Sequence, residues 1–238
     1  KQNHSIIKTQ MTAPVTMAYN IRSPDGKKLV SGHLLPFFEA LMTRIGKGVK
    51  QHLDNSADEI VLCLDDPSMA FILEDIRRGT LQEFGMKDLA DSVDKTYPED
   101  VIPAYHFCGD WRVAKLDQTY LLWDGIPKII HIDMINYPPK ISDQHAQKIN
   151  HFLENGGALA LGVIPNIDDG IKQSVLEDLR SNLQRSIDLF QRAGVDTDLL
   201  ISECMISTQC GLSGASRSLT REIHQLSEEY PAVLESIS

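Results

Sequence analysis

Four short apolar runs, several with polar residues at their C-terminal ends, constrain this chain more than any other feature. Ile60-Val61-Leu62-Cys63-Leu64 ends at Asp65-Asp66-Pro67, and Ile102-Pro103-Ala104-Tyr105-His106-Phe107-Cys108 runs into Gly109-Asp110. Lys128-Ile129-Ile130-His131-Ile132-Asp133-Met134-Ile135 carries its polar residues toward the far end, and Ala158 to Ile164 is turned by Pro165. Near-continuous apolar runs of this length are typical of strands covered on both faces. Ile6 to Met11 and Leu199 to Ser202 extend the set to six expected strands. Between them lie helical patterns: Leu34 to about Leu53, with Leu35, Phe38, Leu41, Met42, Ile45 and Val49 on one stripe, then Ser68 to Arg78 and Leu81 to about Lys95. Further helices are expected over Trp111 to Trp123, from a Ser142 cap to Leu153 before Asn155-Gly156-Gly157, from Lys172 to Arg192, and from Arg217 to Glu229. Strands alternating with helices mean a parallel sheet built from βα units. A chain of 238 residues suits one such domain of the α/β class, a TIM (β/α)8-type barrel.

Charge and composition narrow the function. The net charge of −10 argues against nucleic acid or an anionic membrane as the main partner, because both select clustered Lys and Arg. No apolar run approaches the roughly 20 residues that span a bilayer. The opening Lys1-Gln2-Asn3-His4 has no signal-peptide character, and it lacks an initiator Met, so the true start is expected to be missing or processed away. Cys63, Cys108, Cys204 and Cys210 lie far apart, which suits a reducing cytoplasm and favours metal ligands or buried thiols over disulfides.

His106 and Cys108 are two residues apart on an expected strand, so both side chains leave the same face where the strand ends. Imidazole nitrogen and thiolate sulfur are preferred zinc ligands. Alone the pair says little, since chance supplies a His-x-Cys in about one chain in eight of this composition. Other ligand types fall at the ends of other strands: Asp65 and Asp66, Asp133, and Cys210 after the last strand. In a (β/α)8 barrel that rim carries the chemistry. The plainer alternatives are a buried His beside a core thiol, a strand-to-helix turn capped by Asp65-Asp66-Pro67, and an ordinary loop acid at Asp133. Cys63 and Cys204, inside apolar runs, read as packed core thiols.

Thr12-Ala13-Pro14-Val15-Thr16, Leu64-Asp65-Asp66-Pro67, His106-Phe107-Cys108, the strand ending at Asp133 and Gln209-Cys210-Gly211-Leu212 occur in this order. Together they resemble the C-terminal catalytic barrel of the cobalamin-independent methionine synthase family, within the superfamily that includes uroporphyrinogen decarboxylase. The resemblance runs from about Ile6 to Leu212. It implies a zinc ion held by His106, Cys108, Asp133 and Cys210. It also implies an amino-acid thiol bound through its ammonium group by Asp65, with Asp65 and Asp66 as the catalytic carboxylates. The chain departs from the family pattern at three places. Asp133 stands where the family has Glu, and His131 on the same strand face is an alternative ligand. Pro165-Asn166-Ile167-Asp168 lacks the His that folate-using members carry there. Two strands that precede the Ile6 segment in the family, with an acidic residue that helps bind the amino acid, have no counterpart in this sequence, so the expectation is either a true N-terminus missing from it or an incomplete barrel.

The resemblance therefore implies a zinc-dependent thiol methyltransferase. Homocysteine is the favoured acceptor, and a methylated corrinoid, carried by a separate protein, or a methylated folate is the donor. An acidic group at Asp65 suits an ammonium-bearing thiol, whereas a sulfonate thiol such as coenzyme M would draw on Arg112 or Lys115. Competing expectations are a corrinoid-dependent enzyme acting on coenzyme M, a metal-free porphyrinogen decarboxylase-like enzyme, and a non-catalytic zinc-binding protein.

Overall fold

Strand β2 (Ala57–Asp65) holds one of the deeply buried runs in the computed structural model, which describes residues 4–116 and 118–237. The first three residues, on which the reading of the chain start rests, Asp117 and Ser238 lie outside the described set. Ile60, Val61, Leu62, Cys63 and Leu64 are all buried, as a strand covered on both faces requires. The fold is mixed α/β. Its main sheet has six strands in the order β1-β2-β3-β6-β7-β8, where β1 is His4–Thr12, β3 is Ile102–Phe107, β6 is Ile129–Asp133, β7 is Ala158–Ile164 and β8 is Cys204–Thr208. A separate antiparallel hairpin joins β4 (Lys115–Leu116) to β5 (Thr119–Tyr120).

Two compact units divide the chain, one comprising residues 1–109 and 113–130, the other residues 110–112 and 131–238. In the first, β1 pairs parallel with β2 and β2 with β3, and the register aligns Thr12 with Asp65 and Asp65 with His106. Helices α1 (Pro14–Asn20), α2 (Leu35–Leu53), α3 (Met69–Arg77) and α4 (Met86–Asp94) connect these strands. On α2 the buried positions are Leu35, Phe38, Met42 and Gly46, while Ile45 is exposed. The expected stripe is thus rotated by one position at its C-terminal half. Gly46 explains the rotation: a Cβ there would sit 3.4 Å from the Leu62 side chain, so the helix rests its glycine against β2.

In the second unit, α5 (Asp143–Glu154), α6 (Val175–Arg192), α7 (Thr197–Ser202), α8 (Arg217–Gln225) and α9 (Tyr230–Glu235) surround β7 and β8, which pair in parallel. The expected Ser142 cap is present, its hydroxyl accepting the His145 amide at 3.3 Å.

Three expectations need correction. Trp111 to Trp123 is not a helix: a single 3-10 turn, Trp111–Val113, leads into the β4–β5 hairpin. The Asp110 carboxylate accepts the Arg112 amide and closes that turn, and the fully buried Trp111 indole donates to the Tyr137 carbonyl at 2.9 Å. Leu199 to Ser202 is helical, because Asp196 caps α7 by accepting the Leu199 amide at 3.0 Å, and the strand begins only at Cys204. The last expected helix stops at Gln225, and a 3-10 turn and α9 replace its end. Among the described residues no helix is long and apolar enough to cross a membrane.

Candidate metal centre

β3 ends with His106 and Phe107, and Cys108 follows as the first residue outside it. The chain must then turn sharply against α3: a Cβ on Gly109 would lie 2.5 Å from the Ala70 Cβ, so only glycine fits after Cys108. His106 is buried and Cys108 half-buried. The ligand atoms of His106, Cys108 and Cys210 all lie within 4.8 Å of one another. Among the described residues this is the group of His, Cys, Asp and Glu side chains that can share a metal ion.

Cys210 follows β8 in a segment held by backbone. The Gln209 amide donates to the Ile164 carbonyl at 2.8 Å, the Thr208 hydroxyl donates to the Cys210 carbonyl at 2.8 Å, and the Asn166 amide group donates to the Gly211 carbonyl at 2.9 Å. Gly162 on β7 makes room for this segment, since a Cβ there would stand 2.7 Å from the Ile132 carbonyl and 2.8 Å from the Gln209 Cα. Glycine inside a strand signals such a close backbone approach.

Asp133, expected as the fourth ligand, is not in that group. Its carboxylate caps the following turn, with Oδ1 accepting the Ile135 amide at 2.8 Å and the Asn136 amide at 2.9 Å, and Oδ2 accepting the Asn136 side chain at 2.7 Å. Burial pushes the Asp133 carboxyl above its usual range, these hydrogen bonds oppose the shift, and Cys210 adds to it. His131, the alternative ligand, is buried and donates from Nε2 to the Thr208 carbonyl at 2.8 Å. An Asp three residues before an Asn is the local signal for such a turn.

Asp65 and Asp66 differ sharply. Asp65, half-buried at the end of β2, accepts the Cys108 thiol on Oδ1 at 3.2 Å, and its carbonyl accepts the Ala13 amide at 2.9 Å. Asp66 is 1 % exposed and holds two hydroxyls: Thr16 donates to Oδ1, and Tyr105 donates to Oδ2 at 2.9 Å. Burial pushes the Asp66 carboxyl up to about 6 despite those two bonds. Thr16 and Tyr105 are not among the expected site residues, although Thr16 closes the Thr12-Ala13-Pro14-Val15-Thr16 segment and Tyr105 directly precedes His106.

The remaining thiols carry no ligand role in this geometry. Burial raises Cys63 to about 11 and Cys204 to about 12, values that keep both protonated and inert near neutrality. The two cations considered for a sulfonate thiol are engaged: Arg112 makes two 2.7 Å bonds to the Asp110 carboxylate and one of 3.2 Å to the Pro138 carbonyl, and Lys115 reaches the Tyr120 hydroxyl at 3.3 Å. No family model matches this chain, and no curated protein sequence matches it.

Proposed function

We propose that this chain is a zinc-dependent methyltransferase acting on a thiol, with homocysteine as the preferred acceptor, and that its six-stranded sheet belongs to a (β/α)8-type barrel. The observation that carries the reading is the His106–Cys108–Cys210 group, with all ligand atoms within 4.8 Å of one another. One imidazole and two sulfurs are a donor set that zinc prefers, and three protein ligands leave a fourth position for an exchangeable one. Zinc bound there would lower the pKa of an incoming thiol so that the thiolate forms at neutral pH.

The protein's own groups select and place the acceptor. Asp65 offers a carboxylate to an ammonium group, a charge-assisted bond of the stronger kind. Arg112 and Lys115, the cations a sulfonate thiol would use, are held by Asp110, Pro138 and Tyr120. That favours an amino-acid thiol over coenzyme M. In the transfer the acceptor sulfur forms the new S–CH3 bond as the donor–CH3 bond breaks, and the thiol proton passes to solvent. Holding the two reactants in line supplies most of the rate. A methylated corrinoid is the preferred donor over a methylated folate, because Pro165-Asn166-Ile167-Asp168 presents no His and Asp168 binds the Ser216 amide and hydroxyl.

The test is zinc quantification on the purified chain, with Cys210→Ser and His106→Ala, beside transfer of a labelled methyl group from methylcobalamin or methyltetrahydrofolate to homocysteine or coenzyme M. The reading expects about one zinc per chain, lost in both variants, and label in methionine. A chain without zinc, or variants that retain it fully, would overturn it.

A further inference from the structure

Asp66 is buried beside the candidate site yet cannot touch a substrate, being 1 % exposed. Its two oxygens each accept one hydroxyl, from Thr16 on α1 and from Tyr105 on β3, next to His106. Its own amide donates to the His106 carbonyl at 3.2 Å. One side chain thus ties together the start of α1, the turn that follows Asp65 at the end of β2, and the strand that delivers His106 and leads to Cys108. The roles of the hydroxyls are determined. Thr16 Oγ1 gives its proton to Asp66 and accepts the Ser68 amide at 2.9 Å, and the Ser68 hydroxyl accepts the Asn20 side-chain amide at 3.0 Å.

We propose that Asp66 is a positioning residue for the acceptor's ammonium group: through Thr16 and Tyr105 it holds the end of β2, and with it the Asp65 carboxylate, in place relative to the His106–Cys108 pair. This deepens the methyltransferase reading and rests on it. Only a carboxylate accepts from both hydroxyls, because it has acceptor sites on each oxygen and no donor. An amide in its place turns one N–H toward a hydroxyl, which must then reverse. If Thr16 reverses, its own proton loses Asp66 as its acceptor while Oγ1 still faces the Ser68 amide, and a buried unpaired hydroxyl is costly enough to shift the turn. Asp65, the last residue of β2, directly precedes that turn, and its carboxylate is displaced with it. The ligand pair, set by β3 and the Gly109 turn, stays.

Asp66→Asn, Thr16→Val and Tyr105→Phe test this by thiol binding, with no methyl donor present. The full chain is loaded with cobalt(II) in place of zinc, and the change in its thiolate absorption is titrated with homocysteine and with 3-mercaptopropionate, which lacks the ammonium group. The expected result is unchanged metal stoichiometry, at least tenfold weaker homocysteine binding in Asp66→Asn and in Thr16→Val, and 3-mercaptopropionate binding within about twofold of the parent chain. A purely structural role would weaken both thiols alike, and that outcome overturns the proposal, as does unchanged homocysteine binding. Loss of metal from the variants also overturns it, since Asp66 would then be holding the ligands. If the parent chain itself takes up no metal, the methyltransferase reading fails first and this inference falls with it.

Discussion

The Cys108 thiol donates to Asp65 Oδ1 at 3.2 Å. A proposed metal ligand and the proposed ammonium acceptor are therefore direct neighbours, and the register that pairs Asp65 with His106 across β2 and β3 produces that arrangement. In the protonated state the thiol occupies the oxygen that an ammonium group would use. Loss of the thiol proton on metal binding leaves Asp65 open to the acceptor, so metal uptake should precede tight amino-acid binding.

Asp65→Asn follows from that adjacency. Removing the charge while keeping the shape should weaken homocysteine about 10- to 100-fold, the range for a charge-assisted bond, and leave a thiol without an ammonium group nearly unaffected. Isothermal titration of the metal-loaded chain measures both. Equal loss for the two thiols would remove Asp65 from the acceptor site.

Chelation tests the ligand group as a source of stability. Metal that binds the native chain and not the unfolded one stabilises it by mass action. Adding EDTA to the loaded chain should lower Tm by several degrees, and Cys210→Ser should show the lower Tm with or without the chelator. Thermal unfolding followed by circular dichroism reads this directly. A parent chain whose Tm ignores EDTA would argue that no structural coupling exists between metal and fold.

The strands that were legible in the sequence are those whose apolar runs exceed what a half-buried element needs, β2 and β7 above all. Leu199 to Ser202 was misread because a short apolar run fits either a helix or a strand, and the Asp196 cap decided it. Trp111 to Trp123 was misread because its apolar residues satisfy a helical period while Asp110 closes a turn at its start. His-x-Cys and the later Cys were readable by residue type. The Asp133 cap depends on side-chain orientation, which spacing does not show. Asp66 finds Thr16 and Tyr105 at separations of 50 and 39 residues, so only the assembled strands reveal its role.

Two glycines near Cys210 make a controlled comparison. Gly162→Ala places a methyl group 2.7 Å from the Ile132 carbonyl and 2.8 Å from the Gln209 Cα, both backbone atoms that cannot swing aside. It should cost about 1–3 kcal/mol in urea unfolding and, by pushing the Gln209–Cys210 segment, lower metal content. Gly211→Ala meets nothing within 4 Å. It should change stability by no more than about 0.5 kcal/mol and keep the metal. Equal stability of the two variants would mean that β7 and the Cys210 segment are not in close contact.

Asp66 gives stability a pH dependence whose sign can be worked out. Burial raises its carboxyl from 3.8 to about 6 in the folded chain. Between those values the native state holds a proton that the unfolded state has released, so stability falls as pH rises. The contribution is fully present below about pH 4 and lost above about pH 6. Asp66→Asn has no proton to exchange at this position. Asp133 is also raised by burial, but it is common to both proteins and drops out of their difference. The stability of the variant relative to the parent should therefore improve from pH 4 to pH 7, by an amount on the order of 1–3 kcal/mol. Urea unfolding of both metal-free chains across that range measures it. Parallel curves would mean that Asp66 titrates alike in the folded and unfolded chain, its two hydroxyl partners offsetting the effect of burial.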